Sequence, residues 1–467
     1  MEASPSEPTF ERPLSFYGGL LGALLPFVVF MGGVIAIALS GAPDERGFWP
    51  VLILALCIGL FLARDRNAFC GKVIEGMSHD LVMIMITAWI LASTIGVLMT
   101  ATGFVDALTW VSARLNLSGT GFVVAAFVIC CVVSLSTGSS FATILICSPI
   151  LYPAGGLLGA HLPTLAGAII GGATFGDFTA PISDTTIASA MSQQAEIGPA
   201  VRSRLKYILP AGAIALVGYS VSASLSAGVM STTGPALTGD PRGLPMLLVP
   251  VLIIWLFMRG KHLLYGLLAG LVFGTGLGLA LGLLSFQQVI SLDPENFTAR
   301  SFVIDGINRA VGISFFTILL MGLVATLRAS GVINRLVDFA AARSRTPRRA
   351  ETWIAGTVGA AVLLTTHSIV AILMVAEFAN KTGEQMAIPA KRRANILSLV
   401  VCVFPFLLPY FIPVILMANA TASGAEFGVP AVSPLQVGLH NFIAWALLGM
   451  TLAAVLGGFG RKGDGRR

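Results

Sequence analysis

Charged residues are scarce in this chain. They make up 11% of its 467 residues, whereas hydrophobic residues make up 56% and the mean hydropathy is +0.88. Soluble domains carry about 25% charged residues, so this composition excludes an ordinary soluble protein. Apolar stretches long enough to cross about 30 Å of hydrocarbon recur from end to end. The sequence therefore predicts an all-α polytopic membrane protein.

Cysteines are few and have no metal-type spacing, so we expect no metal-cysteine centre and no cofactor. The net charge of +6 does not indicate a nucleic-acid partner, because the basic residues lie in short segments between apolar stretches. No cleavable signal peptide is predicted, since about 17 polar or mixed residues precede the first apolar stretch. The six cysteines are scattered and are expected to act as small apolar side chains: Cys57, Cys70, Cys130, Cys131, Cys147 and Cys402.

Ten apolar stretches are predicted membrane spans: 18–39, 48–63, 80–99, 164–192, 207–229, 245–258, 262–284, 311–328, 394–418 and 437–458. Basic segments separate many of them and, with Arg12, hold 23 of the 28 basic residues: Arg64 to Lys72, Arg202 to Lys206, Arg259 to Lys261, Arg328 to Arg349, Lys381 to Arg393 and Arg461 to Arg467. Because Lys and Arg concentrate in cytoplasmic loops, this pattern predicts ten crossings of the cytoplasmic membrane with both termini inside.

Two further apolar stretches are interrupted by polar residues. The stretch 352–378 has basic segments on both sides, which predicts a re-entrant hairpin that enters and leaves from the cytoplasm. Such a hairpin is tolerated only where protein buries it. The stretch 120–150 is its predicted partner, open to the outside. The alternative is a kinked full span in each place, which would reverse the orientation of the segments between them.

The two halves of the chain resemble each other at an offset of 228 residues. Without gaps, this offset superposes Thr137 on Thr365 and Pro181 on Pro409. Five crossings per half is an odd number, so the halves are predicted to be inverted repeats, each with a hairpin and a broken helix at the midplane. The predicted organisation is a cytoplasmic segment 1–17, a first repeat 18–230, an external linker 231–244, a second repeat 245–458 and a basic cytoplasmic tail 459–467.

The run from Gly176 to Thr185 places two acids inside a predicted span. A charge at the membrane centre costs about 2.5–3.5 kcal/mol on insertion scales, so Asp177 and Asp184 indicate a bound cation. Pro181, between them, removes a backbone donor and disfavours helix just before it. The alternative is that one of the two aspartates caps a half-helix.

Hydroxyls accompany the two carboxylates. Ser183, Thr185 and Thr179 supply neutral oxygens suited to a hard cation. A poorly solvated carboxylate can also hold a proton and release it when sodium arrives, so both ions compete for the same oxygens. This predicts a binding site for Na⁺ and H⁺ at Asp177 and Asp184, with sodium as a substrate.

The polar interruptions of the two hairpins are predicted to contact substrate or ion: Thr137, Ser139 and Ser140 in the first, and Thr366, His367 and Ser368 in the second. A helix start at such a tip favours anions and hydroxyl ligands. His367 either moves protons or is a hydrogen-bonded structural histidine. Away from the tips we expect Glu377 to pair with a loop base, Asn395 and Asn419 to bond between helices, and 335–349 to form an interfacial amphipathic helix.

The motif Phe175-Gly176-Asp177, followed by Pro181-Ile182-Ser183-Asp184-Thr185-Thr186, resembles the signature of the NhaC-type sodium/proton antiporter family. The turn 136–141 resembles that family's Thr-Gly-Ser/Thr-Ser-Trp turn, with Phe141 in place of tryptophan, and 408–413 is a diverged form of its Ile-Pro-Trp-Asn region. The resemblance covers about residues 15 to 455. It implies the ion transporter superfamily, whose members pair a scaffold with a transport domain and often work as homodimers by an elevator motion.

The leading hypothesis is a sodium/proton antiporter, a secondary transporter rather than an enzyme. The second is sodium- or proton-coupled exchange of small organic anions of the malate/lactate type, which the resemblance also includes. No arginine lies clearly at the centre of a predicted span, which disfavours a dianionic substrate. An intramembrane aspartyl protease needs acids on two facing helices, whereas both acids here lie in one segment.

Overall fold

The structure is a computed structural model, and it describes residues 13–39, 45–104, 106–107, 110, 114, 118–181, 183–226, 240–259, 261–293 and 298–461. The helices in these residues are α1 (Gly19–Leu39), α2 (Phe48–Leu62), α3 (Arg66–Met77), α4 (Asp80–Ala101), α5 (Gly119–Thr137), α6 (Ser140–Leu157), α7 (Leu162–Thr179), α8 (Asp184–Ser192), α9 (Ile197–Ser226), α10 (Leu248–Met258), α11 (Leu263–Ala280), α12 (Phe286–Val289), α13 (Phe302–Ala329), α14 (Val332–Ala341), α15 (Pro347–Thr365), α16 (Ser368–Gln385), α17 (Ala390–Val401), α18 (Ile412–Ala420), α19 (Pro434–Leu439) and α20 (Phe442–Val455). Strands β1 (Ser291–Asp293) and β2 (Thr298–Arg300) form an antiparallel pair.

Seven helical stretches of the described residues are long and apolar enough to cross a membrane: Gly19–Ile37, Val82–Ala101, Ser140–Leu157, Leu162–Ser192, Ile197–Leu225, Leu263–Ala280 and Phe302–Ala329. Shorter apolar helices cover Phe48–Leu62, Gly119–Leu135, Pro241–Leu256 and Phe442–Val455. The all-α, multi-pass prediction is confirmed. The number of crossings and their orientation stay predictions.

The helices form an inner and an outer group. Helices α7, α17 and α18 are almost wholly buried by other helices. Helices α1, α9 and α11 instead expose large apolar side chains such as Leu21, Leu209 and Val272. Exposed apolar surface on this scale is what lipid tails cover in a membrane protein. The segment with the two aspartates therefore lies in the protein interior.

Each interrupted stretch forms two helices joined by a two-residue turn. Helix α5 ends at Thr137 and is capped by Gly138, whose φ of 66° is left-handed. Ser139 then caps α6 by accepting a bond from the Ala142 amide. Helix α15 is capped in the same way by Thr366, with a φ of 54°, and His367 precedes α16. The polar runs therefore lie at the turn between the two helices of each pair, and re-entry from one side of the membrane stays a prediction.

Pro181 lies at the gap between α7 and α8. Helix α7 ends at Thr179 and α8 begins at Asp184, while Ile182 is outside the described residues. Pro405 and Pro409 lie in a longer gap between α17 and α18, and Pro413 follows in the first turn of α18. Because proline lacks the amide that a helix needs, the chain leaves helical geometry near these positions. Backbone groups and side chains at both gaps thus become available to the interior.

Three sequence expectations need correction. The basic segment Arg202 to Lys206 is not a loop, because α9 begins at Ile197 and includes it. Part of the segment Arg64 to Lys72 is helical as α3, which has too little apolar periodicity to be predicted. Arg392 and Arg393, predicted in a loop, lie buried in α17. In each case tertiary contacts bury or order polar residues that the charge pattern assigned to the surface.

Several predicted segments fall partly or wholly outside the described residues. Residues 1–12 of the N-terminal segment, 231–239 of the external linker and 462–467 of the tail are among them. The predicted amphipathic segment 335–349 is described, and it covers the end of α14, a turn and the start of α15. On α14, Arg335 and Asp338 are exposed while Ile333 and Ala340 are buried. The helix is therefore amphipathic.

Candidate functional site

A cavity of about 450 Å³ lies where the two hairpin turns meet the two helix gaps. Its apolar wall includes Trp89, Phe141 and Phe406, and none of its described lining residues is a lysine or arginine. His262 and Leu263, at the start of α11, also line it. The lining includes nine residues singled out from the sequence: Thr137, Ser139, Ser140, Asp177, Asp184, Thr185, Thr366, His367 and Ser368.

Asp177 is the centre of a hydroxyl network. Ser140 Oγ donates to its Oδ2 at 3.0 Å, and Ser183 Oγ donates to its Oδ1 at 2.5 Å. Ser183 Oγ also lies 2.9 Å from Thr185 Oγ1. Since the one proton of Ser183 points to the carboxylate, Thr185 must donate to Ser183. Helix α7, the gap and the first hairpin are thus joined through one carboxylate.

Asp184 has a different setting. It is the first residue of α8, its side chain is exposed to the cavity, and it has no hydrogen-bond or ion-pair partner among the described residues. Thr179 is buried, but its hydroxyl donates to the Phe175 carbonyl at 2.6 Å and lies outside the cavity lining. Two carboxylates therefore reach the cavity, one held by hydroxyls and one without a protein partner in the described region.

The hairpin turns contribute unequally. Thr137 lies within 3.5 Å of the Ser134 carbonyl and 3.4 Å of the Ser139 carbonyl, so its hydroxyl bonds are long and local. Thr366 donates to the Thr365 carbonyl at 2.7 Å, and Ser368 donates to the Val401 carbonyl at 3.1 Å. His367 Nδ1 is buried without a hydrogen-bond partner in the described residues. Only Ser140 of these turn residues bonds to an aspartate.

Gly176 explains how the hairpin approaches Asp177. A Cβ at Gly176 would lie 2.3 Å from Ser134 Cβ and 2.5 Å from the Leu135 amide nitrogen. Gly172, one turn earlier, is equally close to Cys130. Ser134 Oγ donates to the Ala173 carbonyl at 2.7 Å across the same contact. Glycine is thus required beside Asp177 because helices α5 and α7 touch there, and this contact brings Ser140 within reach.

Sequence reasoning missed Arg204, which lies behind the gap. Its side chain is fully buried, and its guanidinium donates to the Phe178 carbonyl at 3.2 Å, Thr186 Oγ1 at 2.7 Å and Ser189 Oγ at 2.9 Å. Its Nε donates to Asn395 Oδ1 at 2.9 Å. An arginine does therefore lie beside the broken segment, contrary to the expectation from the sequence. The only available signal was its position just before the predicted span 207–229, which a loop explained equally well.

The remaining candidate residues have structural partners. Asn395 donates to Ser203 Oγ at 2.7 Å in addition to accepting from Arg204, so it bonds between α17 and α9 as predicted. Glu377 pairs with Lys381 on the surface of α16 at 2.5 Å. No group of three or more His, Cys, Asp or Glu side chains that would hold a metal ion occurs in the described part of the chain.

Long apolar helices around a buried site of carboxylates and hydroxyls define a multi-pass membrane protein with polar residues in its interior. Residues 20–224 match the model of the Na⁺/H⁺ antiporter family, and this range includes α7, α8 and Arg204. The resemblance inferred from the motif at Asp177 is therefore confirmed over residues 20–224.

Individual relatives agree with this match. The malate-2H⁺/Na⁺-lactate antiporter of Bacillus subtilis (strain 168) is 28% identical over 216 residues, which cover 46% of this chain and 43% of that protein. The Na⁺/H⁺ antiporter NhaC of Alkalihalophilus pseudofirmus is 25% identical over 306 residues, 61% of this chain and 63% of the relative. NhaC of Bacillus subtilis is 28% identical over 210 residues, 43% and 45% of the two chains. The matches thus span about half the length of these relatives.

Proposed function

We propose that the protein is a sodium/proton antiporter, a secondary transporter of the cytoplasmic membrane. The observation that carries this proposal is Asp177, a buried carboxylate that faces the cavity and accepts bonds from Ser140 and Ser183. A carboxylate with neighbouring hydroxyls is a ligand set for a small hard cation and also a proton acceptor. The family match and the two NhaC relatives support the same ions.

The proposed exchange uses one set of oxygens for both ions. In the sodium-loaded state, Asp177 and Asp184 are ionised, and the hydroxyls of Ser140, Ser183 and Thr185 turn their oxygens toward Na⁺. The hydroxyl network of this structure, in which both serines donate to Asp177, stabilises the ionised carboxylate. In the proton-loaded state the carboxyls carry the protons, and a neighbouring hydroxyl turns to accept the proton of Asp177. Because Na⁺ and H⁺ compete for the same oxygen atoms, binding of one ion displaces the other. Asp184, with no protein partner among the described residues, is proposed as the first acid that an entering ion meets.

Inverted repeats with alternating access are part of the proposal. At the offset of 228 residues, the bounds of α5, α6 and α8 coincide with those of α15, α16 and α18. The left-handed residues Gly138 and Thr366 also coincide at this offset, as do Gly103 and Gly331. These coincidences support repeats in which each half supplies a hairpin and a broken helix. We extend this to an elevator motion in a homodimer, as the family resemblance implies.

The cavity is proposed to open to the cytoplasm. Two of its lining residues, His262 and Leu263, follow the basic segment Arg259 to Lys261, which the positive-inside rule assigns to the cytoplasm. The second hairpin, predicted to enter from the same side, places Ser368 in the lining. In this proposal both termini are cytoplasmic and the structure represents an inward-open state. No residue is assigned a catalytic role.

A second candidate function is coupled exchange of small organic anions. The malate-2H⁺/Na⁺-lactate relative motivates it, as does a cavity much larger than a sodium ion. The start of α16 at Ser368, with the unpartnered Nδ1 of His367, would face the carboxylate. Two observations count against it: no described lining residue of the cavity is a lysine or arginine, and two are aspartates. We therefore place cation exchange first.

Proton flux in proteoliposomes with an imposed pH gradient tests the proposal. NaCl, LiCl, KCl or choline chloride is added to wild type, Asp177→Asn and Asp184→Asn, with Asp338→Asn as a control on an exposed helix face. Sodium should collapse the gradient in wild type and in the control and should fail in both site variants. If sodium has no effect until malate or lactate is added, the second function replaces the first.

A further inference from the structure

Arg204 holds both sides of the helix gap. It bonds to the Phe178 carbonyl in the last turn of α7, and to Thr186 and Ser189 in α8. Phe178 also lies under the guanidinium, which is 5.4 Å from the ring centroid. The guanidinium has five donors in a planar fork and reaches four acceptors here, whereas an ammonium group has only three donors on one atom. The gap that carries the two aspartates is therefore clamped from its buried side by one side chain.

Arg204 makes no ion pair or hydrogen bond to an acidic side chain among the described residues. All four of its bonds go to neutral acceptors, namely a carbonyl, two hydroxyls and the amide of Asn395. Arg392, which is equally buried, instead pairs with Glu351 at 3.2 Å. A buried cation is normally paired, since removing it from water is costly. The nearest explanation for the unpaired charge is the ion site, because Asp177 is adjacent in sequence to Phe178.

We propose that Arg204 is a positioning residue of the sodium site and its fixed internal cation. Together with the ionised Asp177 and Asp184 it leaves one net negative charge, which a single monovalent cation neutralises. The neutral contacts of Arg204 keep its charge uncancelled so that it acts on this site. The arrangement selects Na⁺ over divalent cations, which would leave the buried site with an excess positive charge. This inference rests on the proposed sodium/proton exchange.

Sensitivity of the exchange to Ca²⁺ tests the role of the fixed charge. In Arg204→Gln, the site carries two negative charges and favours a divalent ion. The Ca²⁺ concentration that halves sodium-driven exchange should fall about tenfold relative to wild type, the order expected for loss of one nearby unit charge. Arg204→Lys retains the charge but loses hydrogen bonds. Its exchange should therefore be slower than that of wild type, while its sensitivity to Ca²⁺ should be unchanged. Arg392→Gln is the matched control, expected to change stability without changing the Ca²⁺ response.

A second variant covers the case in which Arg204→Gln fails to fold. Asn395→Asp keeps the shape of the acceptor that Nε contacts and pairs the guanidinium with a carboxylate. It should raise Ca²⁺ sensitivity as Arg204→Gln does, while the clamp on the gap remains. A Ca²⁺ response within twofold of wild type in Asn395→Asp overturns the proposed charge role. If the wild-type protein shows no sodium-driven exchange, the proposed function is overturned, and this inference with it.

Discussion

Ser140 donates its hydroxyl proton to Asp177 at 3.0 Å, across 37 residues of sequence. This bond joins the turn of the first hairpin to the last turn of α7, two elements that the sequence presents as separate polar interruptions. It exists because α5 and α7 touch at Gly176, which places the start of α6 beside the carboxylate. The candidate site is thus a product of close helix packing as much as of its polar residues.

Ser140→Ala should weaken sodium binding in the proposed antiporter. Hydrogen bonds to charged groups contribute about 1.5–3 kcal/mol, so the sodium concentration for half-maximal exchange should rise about tenfold or more. Thr174→Val is the control, because that buried hydroxyl of α7 bonds only to the Ile170 carbonyl among the described residues. The sodium dependence of proton flux in proteoliposomes measures both variants. Equal effects of the two would assign Ser140 to general helix packing.

Gly176→Ala should disrupt the site without changing any polar group. Its Cβ would come within 2.5 Å of backbone and side-chain atoms of α5, so the helices must separate. We expect a loss of about 1–3 kcal/mol in stability, and a loss of exchange. Gly356→Ala is the matched control, since nothing lies within 4 Å of its Cβ position in α15. Thermal unfolding in detergent should show the first variant destabilised and the second unchanged or slightly stabilised.

The aspartate segment and both hairpin turns could be predicted because polar residues stand out in apolar surroundings. Asp177, Asp184 and the runs around Ser139 and Ser368 needed no knowledge of the fold. Arg204 could not be predicted, because an arginine at the end of an apolar stretch is normally a loop residue. Its burial depends on Asn395, which is 191 residues away, and no local pattern encodes that pairing. The predicted set also included Thr179, whose hydroxyl is used by its own helix.

Glu351→Gln should destabilise the fold strongly. Glu351 is buried and accepts from Arg392 in α17 and from Arg461 near the C-terminus, at 3.2 and 2.6 Å. Breaking a buried ion pair by removing one partner costs about 3–5 kcal/mol, because the remaining charge is left uncompensated. Glu377→Gln is the control, since its exposed pair with Lys381 should contribute about 0–1 kcal/mol. A similar thermal midpoint for both variants would contradict this assignment.

The stability of the protein should fall in mild acid because of His161. Its ring faces His440 at a centroid distance of 5.6 Å, and its Nδ1 lies 2.7 Å from Thr164 Oγ1. Burial, and then the neighbouring His440, lower the pKa of His161 below its ordinary value. The unfolded chain therefore binds the proton first as the pH drops below about 6.5, and the folded state loses stability relative to it.

His161→Gln removes this linkage while keeping a polar side chain beside Thr164. The thermal midpoint of wild type should drop between about pH 7.5 and about pH 5.5, and the variant should drop less. His262→Gln, which alters an exposed histidine at the start of α11, should follow wild type. Midpoints measured by intrinsic fluorescence across this range decide the matter. An unchanged acid drop in His161→Gln would mean that other groups, and not this half-buried imidazole, set the acid limit of the fold.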